Sequence, residues 1–484
     1  DPLPAEQATK LFASLRRRHC TCPERPYLAA AVDAIEFGAG HGLRESLERE
    51  ADLFVPLMFH PNSRNKIDLF FTTTAAGPRL VPTNPKNVRP VPRIAVLGAG
   101  LMGQGIAQIT ADAGTPVLLV DIERRFVDGA MDSITRSLDG LVAKGRWEEK
   151  RRAAVIAAIE GTTDYSRLAE VPLVIEAVPE DVEVKRRVLS QVQAVNPGII
   201  FASNTSAIPM EDIAEGSVRP EMVVGMHYFS PVPLMALLEV VRGPGSSAEA
   251  VDTAVALGRR QKKTCVLVRS SPGFYTSRLF GQFVCMGFRL AELGADPFVV
   301  DSLAVEAGFP RGPLHMFGSV GGMVVYHAGR FMQERFPGRH PLPASLEKVA
   351  LAGYTGAGRR SFYLDERGLE PDRSVLDHLV RTPGLPVPDA REIKDMLLLG
   401  MVSEAFACLS EGVIDDFVTM DLAAVLGVGF PDCWHGPARF VSSAGVSRVV
   451  ARLEALGQKF GIPALVPSRD LRTLVARGIE HGLA

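Results

Sequence analysis

A histidine and a glutamate stand twelve positions apart, each beside an apolar run that predicts a buried strand. His227 follows residues 223–226, and Glu239 interrupts the run 237–241. Burying a carboxylate is costly unless it is paired and hydrogen-bonded, and His227 is an available partner. Imidazole titrates near neutral pH, so the pair suits removal of a hydroxyl proton while a cofactor accepts hydride. The same pair could instead serve only to fix the intervening loop.

A glycine-rich turn lies between an apolar run and a helical pattern. Residues 94–97 predict a buried parallel strand, which Gly98-Ala99-Gly100-Leu101-Met102-Gly103 follows directly. Gly98 would allow the tight turn, Gly100 would let a pyrophosphate approach the backbone, and Gly103 would let the helix pack closely. The helix N-terminus offers free amides for the phosphates. The segment therefore predicts a dinucleotide site.

Acidic and polar residues end the other predicted strands, where a doubly wound sheet places its ligand crevice. Asp121 ends the run 117–120 and would accept hydrogen bonds from the adenosine ribose, which favours NAD over NADP. Two further runs, 173–175 and 199–202, lead into the remaining candidate cofactor residues: Glu176, Ala177, Val178, Pro179, Glu180, Lys185, Asn204 and Ser206. Glu180 and Lys185 could equally be a solvated surface pair.

Breaks in the pattern divide the chain into four predicted parts. Prolines crowd residues 78–92, which we interpret as a linker. Further breaks at 271–273 and 382–388 give the division 1–90, 91–270, 271–380 and 381–484. The last two parts repeat a motif of Gly-Phe-Pro followed by Gly-Pro, at 308–313 and 429–437, after a helical pattern and an aspartate, Asp301 or Asp421. We therefore expect a duplicated helical domain.

Composition excludes several classes of protein. The 484 residues are 46% hydrophobic and 22% charged with a net charge of −2, which gives no reason to expect nucleic acid as a partner. No apolar run has the length of a membrane span. Six scattered cysteines include one close pair, Cys20 and Cys22, so we expect reduced thiols, a cytoplasmic protein and no metal site. The missing initiator Met suggests that the chain begins partway through a longer protein.

Several motifs together resemble the 3-hydroxyacyl-CoA dehydrogenase family. They are Gly-Ala-Gly-Leu-Met-Gly-Gln-Gly-Ile-Ala at 98–107, Ser-Asn-Thr-Ser at 203–206, Gly-Met-His-Tyr-Phe-Ser-Pro-Val-Pro-Leu-Met at 225–235, Leu-Leu-Glu-Val-Val at 237–241, and Ser-Pro-Gly-Phe at 271–274 followed by Arg278. The duplicated helical part is similar to that of multifunctional β-oxidation enzymes. Residues 27–75 resemble the tail of an enoyl-CoA hydratase half.

The resemblance implies a role for each candidate residue. His227 would be the general base with Glu239 as its partner, and Ser206 would contact both the substrate oxygen and the nicotinamide. Asp121, Glu180, Lys185 and Ser230 would bind NAD, while Ser137, Lys144 and Ser277 would contact the acyl-CoA. Such enzymes also have a thiolase subunit or a second copy of themselves as candidate partners.

Three departures from the family pattern concern a substrate contact, a helix start and a cofactor contact. Ser277 replaces an asparagine and offers one hydroxyl in place of an amide. Gly318 replaces an aspartate, which we expect to weaken a helix start. A shortened loop, 356–363, either supplies a basic cofactor contact through Arg359 or Arg360 or has lost that contact.

The resulting prediction is an α/β doubly wound Rossmann domain followed by two all-α C-terminal domains, with a cleft at their junction. The predicted reaction is NAD-dependent oxidation of (S)-3-hydroxyacyl-CoA to 3-oxoacyl-CoA in fatty-acid β-oxidation. Two alternatives stay open: a short-chain 3-hydroxybutyryl-CoA dehydrogenase, and an inactive NAD- or CoA-binding scaffold.

Overall fold

The computed structural model describes residues 5–76, 80–356, 360–365, 368 and 370–479. These residues form two compact units, one of residues 73–277 with 411–419, the other of residues 1–72, 278–410 and 420–484. The helices of the described residues are α1 Ala5–His19, α2 Pro26–Gly38, α3 Leu43–Phe59, α4 Pro61–Phe71, α5 Leu101–Asp112, α6 Arg124–Ala143, α7 Glu149–Ala157, α8 Val182–Val195, α9 Met210–Ala214, α10 Ala248–Arg260, α11 Thr276–Glu292, α12 Pro297–Glu306, α13 Pro313–Val320, α14 Gly322–Arg335, α15 Ala344–Leu351, α16 Ala390–Ser410, α17 Phe417–Val428, α18 Pro437–Ala444, α19 Val446–Phe460 and α20 Arg469–Ala476.

The unit of residues 73–277 is built on one eight-stranded sheet in the order β3-β2-β1-β4-β5-β6-β7-β8. Its strands are β1 Ile94–Leu97, β2 Val117–Val120, β3 Ile159–Thr162, β4 Leu173–Glu176, β5 Ile200–Ser203, β6 Val223–Tyr228, β7 Leu237–Arg242 and β8 Thr264–Arg269. All neighbours are parallel except β6 and β7, which are antiparallel. This arrangement confirms the predicted doubly wound α/β fold.

Burial on both faces explains why the central strands read as continuous apolar runs. Every residue of β1, β2, β4 and β5 is buried, as expected of parallel strands covered by helices. Helices α5, α6 and α7 pack together against one part of the sheet, and α10 packs on β6, β7 and β8. The edge strand β3 was not predicted from the sequence, because Glu160 and Gly161 interrupt its apolar pattern.

The second unit contains two copies of one helical arrangement, which confirms the predicted duplication. In the first copy, the Asp301 carboxylate on α12 accepts hydrogen bonds from the Leu314 and His315 amides of α13, at 2.9 and 2.8 Å. In the second copy, the Asp421 carboxylate on α17 accepts them from the first-turn amides of α18, at 2.7 and 3.1 Å. A carboxylate at a helix N-terminus satisfies amides that have no partner within the helix.

The two Gly-Phe-Pro motifs pack against each other within this unit. The rings of Phe309 and Phe430 are 6.4 Å apart between centroids. A Cβ on Gly308 would lie 3.1 Å from the Pro431 Cβ, and a Cβ on Gly429 would lie 2.8 Å from the Pro310 Cγ. Both glycines have positive φ. Small residues are therefore required on both sides of this seam.

A buried ionic cluster links the first helices of the two copies. The Arg278 side chain on α11 lies 2.6 Å from the Glu404 carboxylate on α16, and both are buried. His340 and Arg339 approach the same carboxylate at 3.1 and 3.4 Å. Burial alone would raise the pKa of Glu404, but the charges of Arg278 and Arg339 and the hydrogen bond from His340 lower it to about 2.

The expectation that Gly318 weakens a helix start is wrong. Gly318 lies near the C-terminal end of α13, which ends at Val320. A Cβ at this position would lie 2.2 Å from the Ser361 Oγ, so the glycine allows the segment that includes Ser361 to approach.

The N-terminal helical segment is anchored to both copies by polar contacts. The Arg25 guanidinium donates to the Gly308 carbonyl and to Asp432, at 2.7 and 2.8 Å. The Asn65 amide on α4 donates to the Cys433 carbonyl at 2.9 Å. Helix α3 has no buried residue. Across the described residues, no helix is both long and apolar enough to cross a bilayer.

Candidate active site

His227 and Glu239 face each other across the one antiparallel pair of strands in the sheet. They are direct partners in the register of β6 and β7. The His227 Nδ1 lies 2.8 Å from the Glu239 Oε2, and both side chains are buried. This hydrogen bond assigns the Nδ1 proton to the side of the glutamate and leaves Nε2 as the nitrogen that can accept a proton.

The segment after Ser-Pro-Gly supplies the other hydrogen-bond donors to Glu239. The Tyr275 and Thr276 amides donate to Oε1 at 3.1 and 3.2 Å, and the Thr276 hydroxyl donates to Oε2 at 2.7 Å. Gly273 and Phe274 precede them with φ of 70° and 47°. A positive φ is uncommon for a bulky residue such as Phe274, and such conformations cluster at functional sites. Thr276 was not predicted, because the sequence marks a break at 271–273 but does not show that the residues after it meet Glu239.

The glycine turn has the geometry that a dinucleotide requires. A Cβ on Gly98 would lie 2.5 Å from the Ala177 carbonyl oxygen, and one on Gly103 would lie 1.8 Å from the Gly98 carbonyl oxygen. By contrast, open space surrounds the Cβ position of Gly100. Gly100 precedes α5 and gives its first turn no side-chain cap. The residues therefore fit a pyrophosphate bound at the helix N-terminus.

Asp121 follows β2 and lies against the glycine turn. Its Oδ2 accepts a hydrogen bond from the Ala99 amide at 2.7 Å, and its Oδ1 accepts one from the Ile122 amide at 2.7 Å. The carboxylate is therefore fixed beside the turn while remaining partly exposed. Of the two other predicted turn residues, Leu101 is 74% exposed and Met102 packs against the sheet core.

Glu176, Lys185 and the partly exposed Glu180 form an ionic network around the buried lysine, so the alternative of a solvated Glu180–Lys185 pair does not hold. Lys185 is 1% exposed, and its Nζ lies 2.8 Å from Glu176 and 3.3 Å from Glu180. Burial opposes charge on Lys185, but the two carboxylates raise its pKa above the usual value. The Val178 backbone joins the network, because its amide donates to Glu176 at 2.8 Å. Ala177 and Pro179 lie in the same strand-end segment.

The segment after β5 donates several hydrogen bonds to Glu180. The Glu180 Oε1 accepts hydrogen bonds from the Ser206 amide at 2.8 Å and from the Ser206 and Thr205 hydroxyls at 3.1 and 2.7 Å. Burial works against ionisation of Glu180, but Lys185 and these donors lower its pKa. The neighbouring Asn204 accepts a hydrogen bond from the Tyr228 amide at 2.9 Å. Asn204 therefore connects the cofactor side of the sheet to the residue after His227.

The loop that joins β6 to β7 accepts hydrogen bonds from a lysine that immediately precedes β8. Phe229 lies over His227 with 4.5 Å between ring centroids, and Ser230 is exposed. The Lys263 Nζ donates to the Val232 and Met235 carbonyls, both at 2.6 Å. Burial lowers the pKa of Lys263 to about 8.

The remaining predicted residues do not join these networks. Ser137 is exposed on α6, and Lys144 is exposed at the C-cap of that helix, two turns away. Ser277 is partly buried in the first turn of α11. Arg360 lies 5.7 Å from the centre of the Tyr354 ring, and Arg359 lies outside the described residues.

Comparisons with known proteins identify the family. The model of the 3-hydroxyacyl-CoA dehydrogenase NAD-binding domain matches residues 93–271, and that of the C-terminal domain matches residues 273–364. The (S)-3-hydroxybutyryl-CoA dehydrogenase from Ralstonia eutropha is 31% identical over 56% of this chain and 98% of its own length, with a TM-score of 0.54. The chain belongs to the 3-hydroxyacyl-CoA dehydrogenase family. It is an NAD-dependent oxidoreductase.

Other solved structures match a larger share of the chain. The 3-hydroxybutyryl-CoA dehydrogenase from Escherichia coli is 26% identical over 81% of this chain and all of its own length, with a TM-score of 0.68. The dehydrogenase part of multifunctional enzyme 1 from C. elegans covers 84% of this chain at 22% identity, with a TM-score of 0.57, which shows a shared fold.

Proposed function

We propose that this 3-hydroxyacyl-CoA dehydrogenase oxidises (S)-3-hydroxyacyl-CoA to 3-oxoacyl-CoA in fatty-acid β-oxidation. The observation that carries the proposal is the hydrogen bond between His227 and Glu239, in the same compact unit as the glycine turn. NAD, when bound, accepts the hydride from the carbon that carries the hydroxyl. The protein must then remove the hydroxyl proton.

His227 is the general base of the proposed reaction. Its Nε2 takes the hydroxyl proton, while Nδ1–H remains hydrogen-bonded to Glu239, whose charge stabilises the resulting imidazolium. In the reverse direction the protonated Nε2 polarises the ketone. Glu239 has no exposed surface and accepts four hydrogen bonds, one of them from His227.

The other candidate residues position the cofactor and the substrate. Asp121 binds the ribose, and the network of Glu176, Glu180 and Lys185 shapes the strand ends beside it. Ser206 donates to Glu180 and retains acceptor capacity for the substrate hydroxyl. Asn204 and Ser230 lie along the nicotinamide side, and Ser277 stands where the family asparagine would contact substrate.

Ser137 and Lys144 are the proposed coenzyme A contacts. They are exposed and two turns apart on one face of α6, so they can reach the same ligand. A lysine provides a point charge for a phosphate. Residues 1–90 are proposed as a hydratase tail and linker before the NAD-binding part at 91–270 and the helical parts at 271–380 and 381–484. A cytoplasmic location, with a thiolase subunit or a second copy as partner, completes the proposal.

A second candidate is oxidation of short 3-hydroxybutyryl-CoA. The relatives from Escherichia coli and Ralstonia eutropha carry this activity in their names. The first aligns with 81% of this chain, more than residues 91–380 can supply. The short-chain relative therefore also aligns with part of the chain outside residues 91–380, so the presence of a second helical copy here does not favour long acyl chains as substrates.

The decisive experiment follows NADH formation at 340 nm with 3-hydroxyacyl-CoA substrates of short, medium and long chain. We expect turnover that His227→Gln reduces by about a hundredfold or more. His327→Gln, on the exposed surface of α14, is the matched control and should retain activity.

The chain-length profile separates the two candidates, since activity confined to four-carbon substrate supports the short-chain enzyme. Absence of turnover in folded protein that binds NADH would contradict both and leave the scaffold alternative.

A further inference from the structure

The Glu239 carboxylate is saturated with hydrogen bonds. A carboxylate offers about four acceptor positions on its two oxygens. Here Oε1 accepts the Tyr275 and Thr276 amides, and Oε2 accepts His227 Nδ1–H and the Thr276 hydroxyl. Glu239 is fully buried, so no water is needed to complete the set.

Thr276 is the one residue among these donors that contacts both oxygens. Its amide lies 3.2 Å from Oε1 and its hydroxyl 2.7 Å from Oε2. A group that binds both oxygens at once resists rotation of the carboxylate about its terminal torsion, which is otherwise soft. The hydroxyl also shares Oε2 with His227, so it acts on the atom that orients the imidazole.

The surrounding backbone shows that this contact is built into the fold. Phe274 adopts a φ of 47° immediately after Gly273, and this turn aims the next two amides at Glu239. Thr276 is itself fully buried. The facing position on β8 is Val266, which offers no competing side-chain donor, and His227 is the titratable group opposite on β6.

We propose that Thr276 is a positioning residue of the dehydrogenase, which fixes the plane of the Glu239 carboxylate and limits how strongly Oε2 accepts from His227. This inference rests on the proposed role of His227 as base. Loss of the hydroxyl leaves Oε2 with one donor. The imidazole is then less well oriented, and the carboxylate favours the imidazolium more strongly.

The test compares Thr276→Val, which removes the hydroxyl at similar volume, with Thr276→Ser, which keeps it. We expect Thr276→Val to lower kcat about tenfold or more and to move the acid limb of the kcat/KM profile to higher pH. Thr276→Ser should restore most of kcat and the wild-type profile. The KM for NAD should change little, since Thr276 is not part of the glycine turn.

Thr253→Val is the matched control. Thr253 is also buried, and its hydroxyl accepts the Arg89 amide at 2.9 Å in the same unit. We expect this variant to lose thermal stability without moving the acid limb. A Thr276→Val enzyme that loses stability but keeps the wild-type kcat and pH profile would overturn the proposal.

The failure of this inference can be distinguished from failure of the proposed function. If wild-type protein turns over and depends on His227, an unchanged Thr276→Val profile refutes only the role of Thr276. If wild type does not turn over, titration of the His227 ring signals by NMR still compares the variants. Identical titration midpoints in wild type and Thr276→Val would then refute the inference.

Discussion

At the residue scale, each charged side chain of the site is held by hydrogen bonds or ion pairs to particular neighbouring atoms. Asp121 illustrates the point, because one carboxylate both braces the glycine turn through the Ala99 amide and remains partly exposed for a ligand. Lys185 shows the opposite case, since its ammonium group is enclosed by Glu176 and Glu180. The charge of Lys185 is therefore compensated within the protein by these two carboxylates.

Replacing Asp121 tests the cofactor assignment independently of turnover. Asp121→Asn keeps an acceptor for the Ala99 amide but removes the charge beside the ribose. We expect about tenfold weaker NADH binding and a smaller preference over NADPH, as hydrogen bonds to charged groups are the stronger ones. Fluorescence titration with each reduced cofactor measures both effects. Asp128→Asn, which removes an exposed partner of Arg124, is the control and should leave both affinities unchanged.

How much of the site could be predicted depends on whether its determinants are local in sequence. His227 and Glu239 could be paired in advance because an apolar run interrupted by one charge demands a partner. Thr276 could not, since its contact depends on the left-handed turn at Gly273 and Phe274. Likewise, the burial of Lys185 follows from where α8 packs and not from its helical neighbours.

At the scale of elements, strand and helix patterns were predictable where burial was uniform. The runs at 94–97 and 117–120 became β1 and β2 with the predicted limits. The edge strand β3 was missed because Glu160 and Gly161 interrupt its apolar pattern, whereas β8 was not predicted although residues 265–268 are an apolar run. The cluster around Glu404 was also unforeseen, since it joins side chains more than a hundred residues apart.

Acid should weaken the contact between α11 and α16. Because the folded pKa of Glu404 is lowered to about 2, its contribution to stability is present above its unfolded value near 4.5 and is lost as pH falls through that interval. Glu404→Gln should therefore lower the free energy of unfolding at pH 7 by about 3 kcal/mol, since it removes the charged carboxylate that lies 2.6 Å from the buried Arg278.

Urea unfolding of both proteins between pH 7 and pH 3 measures this effect. The difference between wild type and Glu404→Gln should shrink towards pH 3. A difference that stays constant over this range would contradict the assigned ionisation of Glu404. Glu454→Gln, at a partly exposed pair with Arg472, is the control and should change stability little.

At the scale of the whole molecule, duplication explains the helical part of the chain better than any single motif does. Asp301 and Asp421 cap corresponding helices, and the two Gly-Phe-Pro motifs form one seam. The aspartates and the motifs could be matched from the sequence. Their mutual packing could not, because similarity between segments does not reveal that they touch.

Gly429→Ala tests the seam. The change adds a Cβ that would lie 2.8 Å from Pro310 and also strains a φ of 72°. We expect the free energy of unfolding to fall by about 2 to 4 kcal/mol, the sum of conformational strain and overpacking. Gly461→Ala is the matched control, because Gly461 has a φ of 63° with open space around its Cβ position. It should cost only about 1 kcal/mol. Calorimetry measures the stability of both variants. If Gly429→Ala and Gly461→Ala lose the same free energy of unfolding, overpacking at the seam contributes nothing and the proposed role of the seam is contradicted.

The seam also joins two surfaces that belong to one chain. Association of tethered partners is governed by an effective concentration set by the connecting segment, so diluting the protein does not weaken it. In addition, each substitution occurs once, on one side only, whereas in a contact between identical subunits every substitution occurs twice. Gly308 and Gly429 can therefore diverge separately, and a damaging change on one side can be compensated by a different residue on the other.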